Sequence, residues 1–301
     1  MSIYVVGSIN MDLVIHAPFM PDNGVTITGS NFLKNPGGKG ANQAVACAKM
    51  DVETYMVGSL GNAFKDDLIN TLKGYNVNTE HIEIHSSVSS GIAVIVIVDG
   101  DNRIILDKGA NELVTKENIK KSLDGAKKGD YLICQLEIPQ EMIKYAFELG
   151  KEKGMITVLN PAPAANLING ILPLIDFFIP NQSECEFYTG VYPKDEKTQK
   201  EAFKKLKSLG IKNLIITLGL DGSCALTDEE FIHVPARKVN AIDTTAAGDT
   251  YIGALVSELS KGNNLKDAMT FASIASSITV TRAGAQVAIP TIDEVLKIIE
   301  K

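Results

Sequence analysis

Short apolar runs alternate along the chain with stretches in which apolar residues recur every three or four positions. The runs predict buried β-strands and the second pattern predicts amphipathic α-helices. The predicted strands cover residues 3–8, 54–58, 131–135, 156–160, 177–180 and 214–218, and residues 234–239 are predicted to be extended. The predicted helices cover residues 41–49, 64–75, 141–153, 183–189, 197–209, 251–259, 265–282 and 292–300. This alternation predicts a three-layer α/β/α fold with a mostly parallel central sheet.

Two stretches break the alternation, because strand-like runs follow one another there without a helix. They are residues 13–35 and residues 91–108, and the second contains a hairpin whose turn is predicted at Gly100-Asp101-Asn102. Together they predict a small antiparallel sheet, which fits either an ordinary sheet edge or a lid beside the ligand-binding ends of the main strands. We expect residues 1–301 to form one domain with these lid strands.

The composition is typical of a soluble globular protein with a substantial core: 301 residues, 45% apolar, with a net charge of −7. This charge argues against a nucleic acid partner or an anionic membrane surface. The four cysteines are widely spaced without a C-x-x-C pair and are interpreted as reduced core thiols. The chain begins without a signal-like segment and has no apolar run of membrane-spanning length, so we expect a cytoplasmic protein.

Residues 242–251, with the sequence IDTTAAGDTY, mark the change from an extended segment to a helix. Small residues at a helix start, here Ala246, Ala247 and Gly248, leave backbone amides clustered where the helix dipole favours an anion. A purely structural carboxylate would repel that anion. Asp249 is therefore interpreted as a base that removes a proton from an attacking hydroxyl. The segment predicts phosphoryl transfer.

Further polar residues follow predicted strands, where this architecture collects ligands. Asp12 can accept hydrogen bonds from sugar hydroxyls, and the glycines of residues 36–43 allow close backbone approach beside Lys39 and Asn42. This segment does not match a Walker phosphate-binding loop, and a glycine pair before a helix also fits a plain tight turn.

Three more segments have both a functional and a structural interpretation. Glu137 ends a strand but also fits a solvated acid at a helix start. Asn181 and Glu184 fit either a helix cap or a pair that holds Mg²⁺ through water. Residues 217–222 contain two glycines, and they either wrap nucleotide phosphates or turn a hairpin into residues 223–226.

Taken together, these segments resemble the ribokinase family of sugar kinases over nearly the whole chain. The matching motifs are GSINMD at 7–12, GGKGANQA at 37–44, QLEIP at 135–139, LNPAPA at 159–164, PNQSECE at 180–186, TLGLDG at 217–222, DTTAAGDTY at 243–251 and TRAGAQ at 281–286. The second and seventh motifs, about 200 residues apart and in this order, are far more specific together than either is alone.

The resemblance implies a role for each matching residue. The sugar site would comprise Asn10, Met11, Asp12, Gly38, Lys39, Gly40, Ala41, Asn42 and Glu137, with Asp249 as the base for the 5-hydroxyl. The nucleotide site would comprise Asn181, Thr217, Leu218, Gly219, Leu220, Asp221, Gly222, Gly248 and Ser273, and the anion hole Ala246, Ala247 and Gly248. Mg²⁺ would accompany ATP, held through water by Asn181 and Glu184.

The resemblance also implies an activating monovalent cation, typically K⁺, beside the anion hole. Its ligands would be the Asp243 carboxylate and backbone oxygens of Thr245, Thr279, Arg282 and Gly284. Ala288 departs from the family pattern, because a hydroxyl residue is common at that position and alanine offers no side-chain oxygen.

The activity that the resemblance implies is ATP-dependent phosphorylation of D-ribose at its 5-hydroxyl. The apolar lid strand at residues 92–98 predicts a homodimer that pairs through the lid, because such a sheet does not easily leave both faces in water. Asn10 beside Asp12 favours a sugar with a 2-hydroxyl, because a deoxy sugar would leave their polar groups unmatched. Phosphorylation of deoxyribose, fructose or adenosine is the first alternative, and a non-catalytic ribose or nucleotide sensor is the second. An NAD-dependent oxidoreductase is a third, but the glycine fingerprint is missing after the first strand.

Overall fold

A nine-stranded sheet forms the centre of the molecule, and a four-stranded sheet lies beside it. The computed structural model describes residues 1–300. Its strands are β1 (Ile3–Val6), β2 (Asn10–His16), β3 (Ser30–Gly37), β4 (Thr54–Gly61), β5 (Asn78–His85), β6 (Gly91–Val98), β7 (Asp101–Asp107), β8 (Tyr131–Gln135), β9 (Ile156–Asn160), β10 (Phe177–Phe178), β11 (Asn213–Thr217), β12 (Ser223–Leu226) and β13 (Phe231–Val234). Its helices are α1 (Lys39–Lys49), α2 (Lys65–Gly74), α3 (Lys116–Ser122), α4 (Gln140–Glu152), α5 (Gln182–Thr189), α6 (Glu196–Ser208), α7 (Ala247–Ser260), α8 (Leu265–Thr279) and α9 (Ile292–Ile299).

The strand order in the central sheet is β13-β12-β11-β10-β9-β8-β1-β4-β5. The strands from β11 to β5 run parallel, and β12 and β13 add an antiparallel edge. The chain passes from β1 outward to β4 and β5 and then returns to β8 on the other side of β1. The order therefore reverses between β1 and β8, and α/β sheets bind their ligands at the carboxyl ends of the strands at such a point.

Two hydrophobic clusters cover the two faces of this sheet. One contains Val45 of α1, Leu255 of α7 and Ala272 of α8. The other contains Phe147 of α4 and Leu206 of α6. The predicted three-layer fold with its mostly parallel sheet is confirmed.

Most predicted helices and strands match the observed ones closely, and the others differ as follows. Of the extended segment predicted at 234–239, only Val234 lies in a strand, because β13 covers Phe231–Val234 and Pro235 has no N–H to donate to a sheet. The strand predicted at 177–180 has only two residues in the sheet. The helix predicted to end at 282 ends at Thr279, and Arg282 N–H donates to its carbonyl in a turn. Helix α7 begins at Ala247 rather than at residue 251. Helix α3 was not predicted, and neither was strand β5, although its apolar and polar residues alternate.

The smaller sheet has the strand order β3-β2-β6-β7 and contains the predicted lid strands. The outer pairs are antiparallel as predicted, but β2 and β6 pair in parallel. The hairpin turn lies at Asp99-Gly100 rather than at 100–102, because both of these residues have positive φ (53° and 82°) and Asp101 already pairs with Val98. β2 begins at Asn10, so this lid strand carries the residues predicted to bind the sugar.

Each cysteine, Cys47, Cys134, Cys185 and Cys224, is a buried free thiol, as predicted. Among residues 1–300, no helix combines the length and the apolar character needed to cross a bilayer.

Candidate active site

The start of α1 packs directly against the turn between β1 and β2, and glycines make this approach possible. Gly38 has a φ of 88°, and a Cβ on Gly40 would lie 2.6 Å from the Ser8 nitrogen. The Glu137 carboxylate, which follows β8, accepts hydrogen bonds from the Ser8 hydroxyl (2.5 Å) and the Lys39 amide (3.2 Å). Three predicted segments therefore meet at the helix start, as α/β topology requires of strand ends.

Asp249 lies in the first turn of α7 and is 8% exposed. Its two carboxylate oxygens accept hydrogen bonds from consecutive residues of α1. The Asn42 amide donates to Oδ2 at 3.0 Å, and the Gln43 amide donates to Oδ1 at 2.9 Å. Gly253 of α7 allows the two helices to approach closely, because a Cβ at this position would lie only 2.4 Å from the Ala46 Cβ of α1.

The predicted anion hole lies at the turn that begins α7. Ala246 adopts a left-handed conformation (φ 59°, ψ 9°), and its carbonyl accepts the first helical hydrogen bond, from Thr250. The Ala247 amide donates to the Thr244 carbonyl at 3.2 Å, so it is already engaged in the turn. Gly248 is exposed, and a Cβ there would meet no atom within 4 Å. Gly248 lines the cavity in the first turn of α7, and backbone amides at a helix N-terminus stabilise an anion.

A cavity of about 230 Å³ lies at the start of α7, and of the predicted sugar residues only Lys39 and Asp249 line it. Its lining includes Lys39, Asn181, Glu184, Thr217, Gly248 and Asp249. The Lys39 side chain, predicted to contact the sugar, thus shares this cavity with the anion hole. An ammonium in this position can neutralise the charge of a phosphate that bridges the two halves of the site.

The charges around the cavity are strongly coupled. Burial and the neighbouring carboxylates of Glu137 and Asp249 raise the pKa of Asp12 to about 7, against the opposing effect of Lys39. Burial lowers the pKa of the Lys39 ammonium, but Asp249, Glu137, Glu184 and Asp12 outweigh that effect and raise it above its ordinary value. Lys39 therefore remains positively charged at neutral pH.

The predicted sugar residues on β2 point to opposite sides of the strand. Asn10 is 4% exposed, and its amide oxygen accepts a hydrogen bond of 2.7 Å from Asn111, which also accepts one from the Ile9 amide (2.9 Å). Met11 is buried in the core because adjacent residues of a strand face opposite ways. Ala41 is likewise fully buried, so the side chains of Met11 and Ala41 pack in the core.

The predicted nucleotide residues gather beyond the end of β11. Asn181 forms an isolated parallel bridge with Thr217 and caps α5 in a capping box with Glu184. The Glu184 carboxylate accepts from the Asn181 backbone amide at 2.9 Å, and burial raises the pKa of Glu184. The structural interpretation of this pair, a helix cap, is therefore confirmed.

Residues 217–222 turn the chain from β11 into β12, as the hairpin interpretation predicted. Leu218 is buried, whereas Leu220 is 93% exposed. Gly222 packs so closely on the segment after β13 that a Cβ would lie 2.0 Å from the Val234 carbonyl oxygen. The Ser273 hydroxyl donates to the Pro235 carbonyl of that segment at 3.4 Å. Of the predicted nucleotide residues, Asn181, Thr217 and Gly248 line the cavity.

Asp243 connects the segment before α7 with the loop after α8. One carboxylate oxygen accepts from the Thr245 amide (2.9 Å) and hydroxyl (2.6 Å), and the other accepts from the Gly284 amide (2.9 Å). Burial acts to raise the pKa of Asp243, but these hydrogen bonds outweigh it and the net pKa lies below its ordinary value. Ala288 is fully buried. The hydrogen bonds of Asp243 place three of the predicted cation ligands, Asp243, Thr245 and Gly284, next to one another.

Sequence reasoning assigned no role to several residues that organise the site. The side-chain amides of Gln43, Gln135 and Asn160 form a buried network next to Asp249. Ser8 donates a hydrogen bond to Glu137, and Asn111 donates one to Asn10. The quoted motifs include Ser8, Gln43, Gln135 and Asn160, so the motifs could have identified these four residues as part of the site. Asn111 lies outside those motifs, and only the fold places it beside β2.

Comparison with known proteins agrees with this geometry. Residues 1–292 match the profile of the pfkB family carbohydrate kinases. The chain is 39% identical to a ribokinase of Staphylococcus aureus (97% of this chain, 98% of the relative) and 35% identical to a deoxyribokinase of Salmonella typhi (98% and 97%). It is similar to the structure of Arabidopsis thaliana ribokinase complexed with ribose and ATP, with a TM-score of 0.93, 28% identity, and 100% and 99% of the two chains covered. The chain belongs to the pfkB family of carbohydrate kinases.

Proposed function

We propose that this protein transfers the γ-phosphoryl group of ATP to the 5-hydroxyl of D-ribose, giving D-ribose 5-phosphate and ADP. The observation that carries the proposal is the position of Asp249. Asp249 lines the same cavity as the predicted nucleotide residues Asn181 and Thr217 and as Lys39, and it follows Gly248 at the start of α7. The ribokinase relatives support ribose as the acceptor.

In this mechanism the sugar hydroxyl gives its proton to the Asp249 carboxylate as its oxygen bonds to the γ-phosphorus. The bond from that phosphorus to the bridging oxygen of ATP breaks, and ADP leaves with the bonding electrons. The Gly248 amide and the Lys39 ammonium stabilise the negative charge on the transferred group. Alignment of the reactants and neutralisation of charge account for catalysis, with no covalent enzyme intermediate.

We propose Mg²⁺ as the companion of ATP at this site. Residues 1–300 contain no cluster of three or more histidine, cysteine or acidic side chains that would form an all-protein metal cage. A site with few protein oxygens fits Mg²⁺, because this ion keeps several of its waters when it binds a protein. Glu184 would hold it through water at the cavity wall, with Asn181 fixing the carboxylate. When bound, Mg²⁺ supplies positive charge to the ATP phosphates.

We further propose activation by K⁺ in the segment held by Asp243. Its carboxylate already joins Thr245 and Gly284, whose backbone oxygens are among the predicted ligands. K⁺ bound at Asp243 would order the segment before α7 and would thereby fix the turn that contains Gly248. Ala288 supplies no side-chain oxygen, so water would complete the coordination shell there.

Deoxyribose is the second candidate acceptor, because a deoxyribokinase is among the relatives. The structure offers a reason to prefer ribose. Asn111 donates to the amide oxygen of Asn10 and leaves the Asn10 NH₂ group to donate to a substrate. Asp12 follows two residues later on the same face of β2. A 2-hydroxyl can pair with such groups, whereas a deoxy sugar cannot.

A homodimer that pairs through the lid, in the cytoplasm where ATP is available, completes the proposal. Both faces of the lid sheet expose apolar side chains. Val94 and Ile105 are opposite each other on one face, and Leu33 and Ile104 lie on the other, with exposed fractions from 38% to 72%. An uncovered apolar sheet of this kind favours association with a second copy.

The test is a coupled assay of ADP release with D-ribose, deoxyribose, fructose and adenosine as acceptors, in K⁺ and in a bulky organic cation. We expect the highest kcat/KM with ribose, Mg²⁺ and K⁺. A higher kcat/KM with deoxyribose would transfer the assignment to that sugar, and equal rates in the two cations would remove the K⁺ proposal. Absence of ADP release with every acceptor would favour a non-catalytic sensor.

A further inference from the structure

Three amide side chains form a buried chain behind the Asp249 carboxylate. Gln43 and Gln135 are fully buried and Asn160 is 7% exposed. The Gln43 Nε2 group donates both to Asp249 Oδ1 (2.9 Å) and to Asn160 Oδ1 (3.1 Å). The Gln135 Nε2 group donates to Gln43 Oε1 at 2.7 Å. Helix α1, strand β8 and strand β9 each contribute one of these residues.

The direction of this chain of hydrogen bonds is set by a backbone group. The Asn160 amide nitrogen donates to the carbonyl of Ile179 at 3.0 Å, and a carbonyl can only accept. Asn160 must therefore present its oxygen to Gln43, and Gln43 must present its NH₂ group to Asn160 and Asp249. Gln135 enforces the same orientation from the other side, because it donates to the Gln43 oxygen. Gln43 is thus held as a donor toward Asp249.

We propose that Gln43 is a positioning residue for the catalytic base and that Gln135 acts on the reaction only through Gln43. The inference rests on the proposed role of Asp249. Asn42 and Gln43 each engage one carboxylate oxygen, so together they fix the rotation of the carboxylate and direct its remaining lone pairs toward the cavity. A small misplacement of a reacting group is costly in phosphoryl transfer, since the rate depends on alignment.

A simple packing role would not require this arrangement. The Gln135 Oε1 atom is buried without a hydrogen-bond partner in residues 1–300, so Gln135 is satisfied only through the amide that it donates to Gln43. An apolar side chain of similar size would fill the same space without that unpaired oxygen. We therefore infer that the site uses the hydrogen-bond donor of Gln135 rather than the volume of its side chain.

The experiment compares Gln43→Leu and Gln135→Met with the double variant, using the acceptor that supports ADP release in the unmodified protein. For Gln43→Leu we expect kcat to fall about 10- to 100-fold, because the carboxylate loses one of its two fixed contacts. We expect the KM and the calorimetric Kd for the sugar to stay within about threefold, because Gln43 does not line the cavity. Gln135→Met should lower kcat by about three- to tenfold, and the double variant should lose no more than Gln43→Leu alone.

Gln199→Leu is the matched control, since Gln199 is a buried glutamine on α6, on the other face of the sheet. It should leave kcat unchanged, and thermal melting of all variants separates loss of fold from loss of alignment. A Gln43→Leu kcat within twofold of the unmodified protein, additive losses in the double variant, or sugar affinity falling in proportion to kcat would each overturn the positioning role. Normal turnover in Asp249→Asn would overturn both the base assignment and the positioning role. If Asp249→Asn has low turnover but Gln43→Leu has normal turnover, only the positioning role is overturned.

Discussion

Asp249 is a buried carboxylate at a helix N-terminus, and its surroundings explain how it can serve as a base. Asn42 and Gln43 donate one hydrogen bond to each of its oxygens, while the cavity in front remains open to a substrate. Gly248 lies at the same helix start and lines the same cavity. One residue pair, Gly248 and Asp249, would therefore bring together the proposed base and the proposed anion donor of a phosphoryl transfer.

Replacement of Asp249 by asparagine tests this assignment. The amide keeps the shape of the side chain but cannot take a proton, so we expect turnover to fall by about 10²- to 10⁴-fold. Sugar affinity should change little, because binding depends mainly on other residues. Steady-state kinetics and calorimetric titration with D-ribose measure the two quantities separately. Turnover within about tenfold of the unmodified protein would show that Asp249 is not the base.

Asp12 predicts a pH dependence of sugar binding. Burial and the nearby carboxylates raise its pKa to about 7, which is above the value in the unfolded chain. The sugar-free protein therefore loses stability as the pH rises from 3.8, the ordinary pKa, to about 7, above which Asp12 is ionised in both the folded and the unfolded chain. A sugar that donates hydroxyl hydrogens to the ionised carboxylate offsets this cost. We expect the Kd of D-ribose to decrease by up to about tenfold between pH 6 and pH 8, measured by calorimetry. Asp12→Asn should abolish the dependence, and equal Kd values at the two pH values in the unmodified protein would contradict it.

At the scale of secondary-structure elements, the packing of α7 on α1 determines where Asp249 lies. Gly253 allows this packing, since a Cβ there would be 2.4 Å from the Ala46 Cβ. For Gly253→Ala we expect about 1 to 3 kcal/mol less unfolding free energy, from overpacking between the helices. A kcat reduced by at least fivefold should accompany it, because the carboxylate shifts away from Asn42 and Gln43. Urea unfolding and ADP release measure the two effects.

Gly74→Ala is the control for that substitution. Gly74 ends α2, and a Cβ there would meet no atom within 4 Å. The same change should therefore leave kcat unaltered and raise the unfolding free energy by up to about 1 kcal/mol, because alanine restricts the unfolded chain more than glycine does. Equal effects of the two substitutions would show that the contact between α1 and α7 is not the cause.

At the scale of the whole molecule, the exposed lid sheet predicts the oligomeric state. Ile104 and Ile105 of β7 are 59% and 72% exposed and point to opposite faces of that sheet. The double variant Ile104→Lys with Ile105→Lys should sediment as a monomer, whereas the unmodified chain should sediment as a dimer. Phe187→Lys replaces an apolar side chain on α5 that is 50% exposed, and it should remain dimeric. A monomeric unmodified protein at micromolar concentration would contradict pairing through the lid.

The alternation of apolar runs and amphipathic stretches was sufficient to predict the layers of the fold, because each element must bury an apolar face. Local chemistry also located the helix start at 246–249 and the cap at Asn181. The sequence did not predict β5 or the parallel pairing of β2 with β6, since strand pairing depends on partners that are distant in the chain. Helix α3 was also missed, because its seven residues are too few for a clear helical periodicity. It also placed the hairpin turn one residue late.

The amino-acid sequence by itself determined the fold class, the sugar kinase family and the residue types of the site, because motifs and periodicity are local properties of the chain. The tertiary structure decided which groups meet. It placed Met11 and Ala41 in the core, put Lys39 in the cavity with Asp249, and connected Asp249 to Gln43, which lies 206 positions away in the chain. Such contacts arise from the packing of α1 on α7 and from the convergence of strand ends at one edge of the sheet, and neither can be inferred from a local pattern.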